Sequence, residues 1–152
     1  MGVAGLFIIR TDWNMNVNIT ISKKQGRVLV TILQLAGILD GSNHAQLDDE
    51  AKKIYQSGMR DLLIDLSKLT FMSSSGLGAI HKTGLLFRDP PKAEEESGRA
   101  ATHAIYRESG IQVSKHVKLL SPQPRVAEIL YIASFDSLFK IHTNLEAAVA
   151  SF

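Results

Sequence analysis

A chain of 152 residues has room for one domain and excludes most multidomain enzymes. Its 45% hydrophobic and 21% charged residues suit a globular protein that builds a core without staples. Seventeen basic residues against fifteen acidic ones leave +2, dispersed along the chain, which argues against a nucleic-acid-binding stripe. The densest basic cluster is Lys23-Lys24 with Arg27, read as a turn. Zero cysteines exclude disulfides, thiolate catalysis and Cys-containing metal sites.

Met1 to Ile9 is apolar but lacks a basic n-region and is too short to span a bilayer. Leu6 stands where a myristoylation signal has Ser or Thr. The expectation is an unprocessed chain without membrane insertion. Residues 1–15, Trp13 included, read as an N-terminal extension that either lengthens a sheet or forms a dimer contact.

Val17-Asn18-Ile19-Thr20-Ile21 alternates apolar and polar, Lys23 to Arg27 turns, and Val28 to Leu33 is a β-branched run: a β-hairpin. Gly37 and Asp40-Gly41-Ser42-Asn43 close that unit. Leu47, Ala51, Ile54 and Tyr55 then form a helical stripe, expected to be capped by Ser42 or Asn43 and ended by Gly58. Leu62-Leu63-Ile64-Asp65-Leu66 reads as a buried strand. Ser73-Ser74-Ser75 precede Leu77, Ile80, Gly84 and Leu85 at helical spacing, an N-cap signal that Ser75 alone would satisfy.

Asp89-Pro90-Pro91 ends that helix. A polar stretch to His116 follows, in which Glu94-Glu95-Glu96 and Ala100 to Arg107 form at most one surface helix. Val117 to Leu120 is a strand, Pro122 and Pro124 introduce a helix with Val126, Ile129 and Leu130, and Leu138 to Ile141 is a last strand. Asn144 caps a closing helix with Leu145, Ala148 and Val149. Helices alternating with strands after a hairpin give an α/β domain with a mixed four- to five-stranded sheet and about four helices.

The stretch Asp65-Leu66-Ser67-Lys68-Leu69-Thr70-Phe71-Met72-Ser73-Ser74-Ser75-Gly76-Leu77-Gly78 resembles the signature of STAS domains of the anti-sigma factor antagonist type. In that family a strand runs into Phe-Met and Asp-Ser-Ser-Gly-Leu-Gly ahead of a helix. Gly37-Ile38-Leu39-Asp40 looks like the family's Gly-x-Leu-Asp turn. The hairpin and the helices follow in the family's order, so the resemblance covers roughly Asn16 to Val149, within one STAS-like domain over 1–152.

The resemblance implies partner switching in the cytoplasm, without enzymatic activity or a cofactor of its own. The unphosphorylated domain would bind an anti-sigma factor that is a serine kinase, and phosphorylation would release it until a phosphatase restores binding. The acceptor maps onto Ser74, with Ser75 as the alternative; Asp40, Ser73, Ser74, Ser75, Gly76 and Leu77 would form the partner surface. The domain would act as a monomer or homodimer.

Two features depart from the family pattern. Ser73 replaces the motif's Asp, and residues 89–116 form a longer insertion than usual. Both favour an alternative, a STAS scaffold subunit of a signalling or transport complex that is never phosphorylated.

Other readings are weaker. Gly76-Leu77-Gly78 lacks the third glycine of a dinucleotide loop, His81 standing there, so close helix–strand packing explains it better. The histidines (His44, His81, His103, His116, His142) have no H-x-x-x-H spacing and no sequence grouping with carboxylates, which argues against a metal. No G-x-S-x-G elbow supports Ser-His-Asp catalysis.

Overall fold

The computed structural model describes residues 7–9, 17–89 and 113–152. Trp13, Glu94-Glu95-Glu96, Ala100 to Arg107 and His103 lie outside them. Strands β1 (Phe7–Ile9), β2 (Val17–Gln25), β3 (Leu29–Leu39), β4 (Leu62–Met72), β5 (Val117–Leu120) and β6 (Ile141–His142) form one sheet in that order. β1, β2 and β3 pair antiparallel, whereas β3 to β6 run parallel. Five strands are those expected. The sixth is β1, part of the N-terminal extension, set against Ile19 to Ile21.

Parallel neighbours require crossovers, and helices α1 (His44–Gln56), α2 (Ser74–Leu86) and α3 (Pro124–Ile132) supply them. Their apolar stripes (Leu47, Ala51 and Ile54; Ala79 and Ile80; Val126 and Leu130) pack on one face of the sheet against Leu33, Leu35, Ile64, Leu66 and Leu119. The opposite parity of β3, Val30 and Ile32, lies with Leu63 and Leu120 beneath Ala148 and Val149 of α4 (Leu145–Ala150). Leu62, Leu63 and Ile64 are therefore buried on both faces, as their continuous apolar run implies.

The strands outrun their apolar segments. Polar Ser22 to Gln25 stay paired with Ile32 to Leu29, because ladder bonds are made by backbone and not by side chains. The last strand is shorter than Leu138 to Ile141. Phe135–Ser137 is a 3-10 turn whose Phe135 carbonyl accepts from Leu138 and Phe139 N–H, and Phe139 packs against Phe135 at 5.7 Å, so pairing begins only at Ile141. Asn144 caps α4 as expected, its Oδ1 accepting from Ala147 N at 2.8 Å.

α4 is anchored by a cation. Buried Lys118 donates through Nζ to Ser151 O and Oγ at 2.8 and 2.9 Å. His142 Nε2 lies 3.4 Å from the same Oγ. Burial, with Lys118 and Lys140 adding repulsion, holds the His142 imidazolium below its ordinary range. The unfolded chain then binds a proton more readily than the folded one. Stability is therefore expected to fall as pH drops below about 6.5, with no His142 contribution to the slope above that range. Urea melts of wild type and His142→Gln check it: the substitution should flatten the acid-side loss, and parallel pH profiles would refute the assignment.

Candidate functional site

The two family-like segments are far apart in sequence and meet at the carboxyl ends of β3 and β4. Parallel pairing sets Leu39 opposite Met72. Just before that point Gly37 adopts φ +103, and the register shifts between Gly37 and Ile38. Only glycine holds this positive φ cheaply, which gives Gly37 its role in turning the chain toward Asp40.

Asp40 closes on Ser42: its Oδ1 accepts from Ser42 N at 2.9 Å and Ser42 Oγ at 2.7 Å. These bonds, the hydroxyl's foremost, hold the Asp40 carboxyl below its ordinary range, so the turn presents a fixed negative charge. Asn43 stands at the N-cap of α1, but its side chain makes no cap bond. Fully buried Asn43 instead braces the loop, Oδ1 accepting from Asp40 N at 2.9 Å and Nδ2 donating to Ile38 O at 2.8 Å. Sequence reasoning missed this role, because Asn before a helix reads first as a cap.

The three serines divide. Ser73, and not Ser75, is the N-cap of α2: extended, with its Oγ accepting from Gly76 N at 3.4 Å. An aspartate would cap there equally well, so the departure at Ser73 keeps the cap and removes a charge. Ser74 and Ser75 are exposed, in the first turn of α2, and neither hydroxyl has a hydrogen-bond partner among the described residues. Ser75 faces the other segment, its Oγ 3.5 Å from where a Cβ on Gly41 would stand.

The joint between the segments is backbone. Ser73 N donates to Leu39 O at 2.9 Å. A Cβ on Gly76 would come within 2.9 Å of that carbonyl and 2.7 Å of Met72 Cγ. Close packing is thus the reason for Gly76. It is not the reason for Gly78, where an added Cβ meets nothing within 4 Å. Leu77 is half-buried beside the serines.

Asp40, Ser73, Ser74, Ser75 and half-buried Leu77 therefore meet at a helix start whose N–H groups and dipole favour an anion, whereas Gly76, expected among them, is buried against the Leu39 carbonyl. Outside that surface, Lys82 Nζ and His44 Nδ1 reach Asp48 Oδ2 at 3.2 and 3.6 Å, which ties α1 to α2. His116 does meet carboxylates, Asp61 through Nδ1 at 2.9 Å and Asp89 through Nε2 at 3.0 Å, a grouping invisible in the linear sequence.

Comparison with known proteins bears on this geometry. Residues 20–84, which include both segments, match the STAS domain family model. The chain is 26% identical over 136 residues to BtrV of Bordetella bronchiseptica, a protein named in the anti-sigma factor antagonist class, with 90% of this chain and 95% of BtrV covered. An anti-sigma factor antagonist from Mycobacterium paratuberculosis superposes with a TM-score of 0.63 at 16% identity, over 90% of this chain and 93% of that one. SpoIIAA in its unphosphorylated form gives 0.53 at 19% identity, over 84% and 92%. Motifs, element order and fold agree: residues 20–84 match the STAS domain, and the chain has the fold seen in the anti-sigma factor antagonist structures.

Proposed function

We propose that the chain is an anti-sigma factor antagonist acting by partner switching. Its surface around Asp40 and Ser73 to Leu77 binds an anti-sigma factor of the serine-kinase type, and phosphorylation of Ser74 releases it. A phosphatase resets the switch in the cytoplasm. The nucleotide belongs to the kinase. The observation that carries this reading is the division of labour among the serines: Ser73 holds the helix start, leaving the Ser74 hydroxyl exposed and unengaged next to Ser75, whose Oγ faces the Asp40 turn.

The physics supports a switch without rearrangement. A phosphate adds about −1.5 to −2 charges, which the start of α2 accommodates through free N–H groups. The same charge disrupts an acidic or apolar partner surface docked there. A coupling of about 2–4 kcal/mol shifts occupancy by tens- to hundreds-fold.

Phosphopeptide mass spectrometry of Leu69 to Lys82, from native-host protein under growth and stress, tests it. Condition-dependent phosphate on Ser74 is the expected result, and phosphate confined to Ser75 would move the acceptor by one position. An unmodified peptide in every condition would favour the second reading, a scaffold subunit. The neutral Ser73 in place of the motif's acid and the long 89–116 insertion are what support that alternative.

A further inference from the structure

The other end of the sheet has a different chemistry. β3 to β6 all start there, and α2 and α3, running back against them, finish there. Five of the seven large apolar side chains exposed among the described residues fall at this pole: Val28 (37%) and Leu29 (40%) at the hairpin tip, Leu85 (44%) at the end of α2, and Tyr131 (72%) and Ile132 (76%) at the end of α3. Cations fall at the same pole. Lys23, Lys24 and Arg27 belong to the hairpin, and Lys115 and Lys140 precede β5 and β6.

Among the described residues, the acids of this pole are mostly engaged. Asp61 and Asp89 are both bonded to His116, and Glu146 lies 3.7 Å from Lys24, leaving Asp136 exposed. Lys23 and Arg27 meet no carboxylate among the described residues. The tip is also firmly seated: Gly26 packs so closely on Val149 of α4 that an added Cβ would stand 2.6 Å from its Cγ1.

Exposed aliphatic groups and an exposed tyrosine sharing one pole with lysine and arginine are what an anionic bilayer surface takes up. The apolar ends enter the headgroup boundary and the cations meet lipid phosphates. We infer that this strand-start pole docks the protein peripherally on a bilayer carrying anionic lipids. A polyanion would use the cations and leave the apolar ends unused; an apolar protein surface would do the reverse. β3 spans eleven residues, about 35 Å, between the two poles, so docking leaves Asp40 and Ser74 facing away from the lipid. The inference does not depend on phosphorylation.

Co-sedimentation with phosphatidylcholine vesicles, with and without phosphatidylglycerol, at low and high salt, tests it on the full chain. Binding is expected only with the anionic lipid and at low salt. Lys23→Gln/Arg27→Gln should weaken it by roughly twenty-five-fold, at about five-fold per cation. Tyr131→Ser/Ile132→Ser, at positions too exposed to support the core, should weaken it by roughly ten-fold with an unchanged circular dichroism spectrum. Three results would overturn the proposal: no binding, equal binding to neutral vesicles, or loss with the charge variant but not with the apolar one. The last would mark a general polyanion surface. Unmodified Ser74 in the native host would leave all of these outcomes open, so the two readings fail separately.

Discussion

Gly76→Val is expected to destabilise the domain by about 3 kcal/mol and to abolish partner binding with it. The new Cβ would overlap Met72 Cγ at 2.7 Å and the Leu39 carbonyl at 2.9 Å, and Val adds two methyls beyond it. The Met72 side chain can swing aside. The carbonyl cannot, because it accepts from Ser73 N and fixes the start of α2 to the end of β3. Any relief must open that joint, which also carries Asp40 to the serines. Gly78→Ala, two residues along the same helix, has open space around its Cβ and should stabilise by about 0.5–1 kcal/mol through helix propensity. Gly76→Ala falls between: it gains the same propensity and meets the carbonyl. Urea denaturation of the three variants checks the order, and a Gly76→Ala as stable as Gly78→Ala would sink the close-approach argument.

That pair of glycines also marks how far the sequence could be read. Gly76-Leu77-Gly78 is symmetrical as a string, and nothing in it distinguishes a glycine wedged on a carbonyl from one facing solvent. The alternation in β2, the double-sided apolar run of β4 and the helical stripes were legible because each follows from local periodicity. The meeting of Asp40 with the serines was legible only through resemblance, since parallel pairing of β3 and β4 joins residues more than thirty positions apart. Asn43 was hidden for another reason. Its two bonds go back to backbone at Asp40 and at Ile38 in the end of β3, where a cap signal pointed forward to α1. The His116 bridge and the α4 anchor at Lys118 depend on tertiary neighbours across three different elements, and no spacing encodes them. The hairpin's basic cluster was visible, but its apolar companions at the ends of α2 and α3 come together only when the crossovers are closed.

Ser74→Glu should raise stability slightly and weaken partner binding at the same time. A carboxylate in the first turn of α2 lies at the positive end of the helix dipole and is worth about 0.3–1 kcal/mol. No acidic residue occupies that turn in the native sequence, and Ser73 in place of an acid leaves the new charge without a repelling neighbour on its N-terminal side. The same carboxylate would stand on the surface a partner must cover. Affinity for the kinase-type anti-sigma factor is expected to drop by roughly ten- to a hundred-fold, while Ser74→Ala binds as wild type. A single carboxylate carries less charge than a phosphoserine, so the mimic sets a lower bound on the switch. Calorimetric binding beside thermal melts separates the causes. Lower affinity with a higher melting temperature points to charge at the interface, and lower affinity with a lower one points to damage in the fold. Ser75→Glu is the companion measurement, because its Oγ looks toward Gly41 and the Asp40 turn. Release by Ser75→Glu alone would make Ser75 the acceptor. Equal affinity of every variant would remove the switch and leave a surface that binds without regulation.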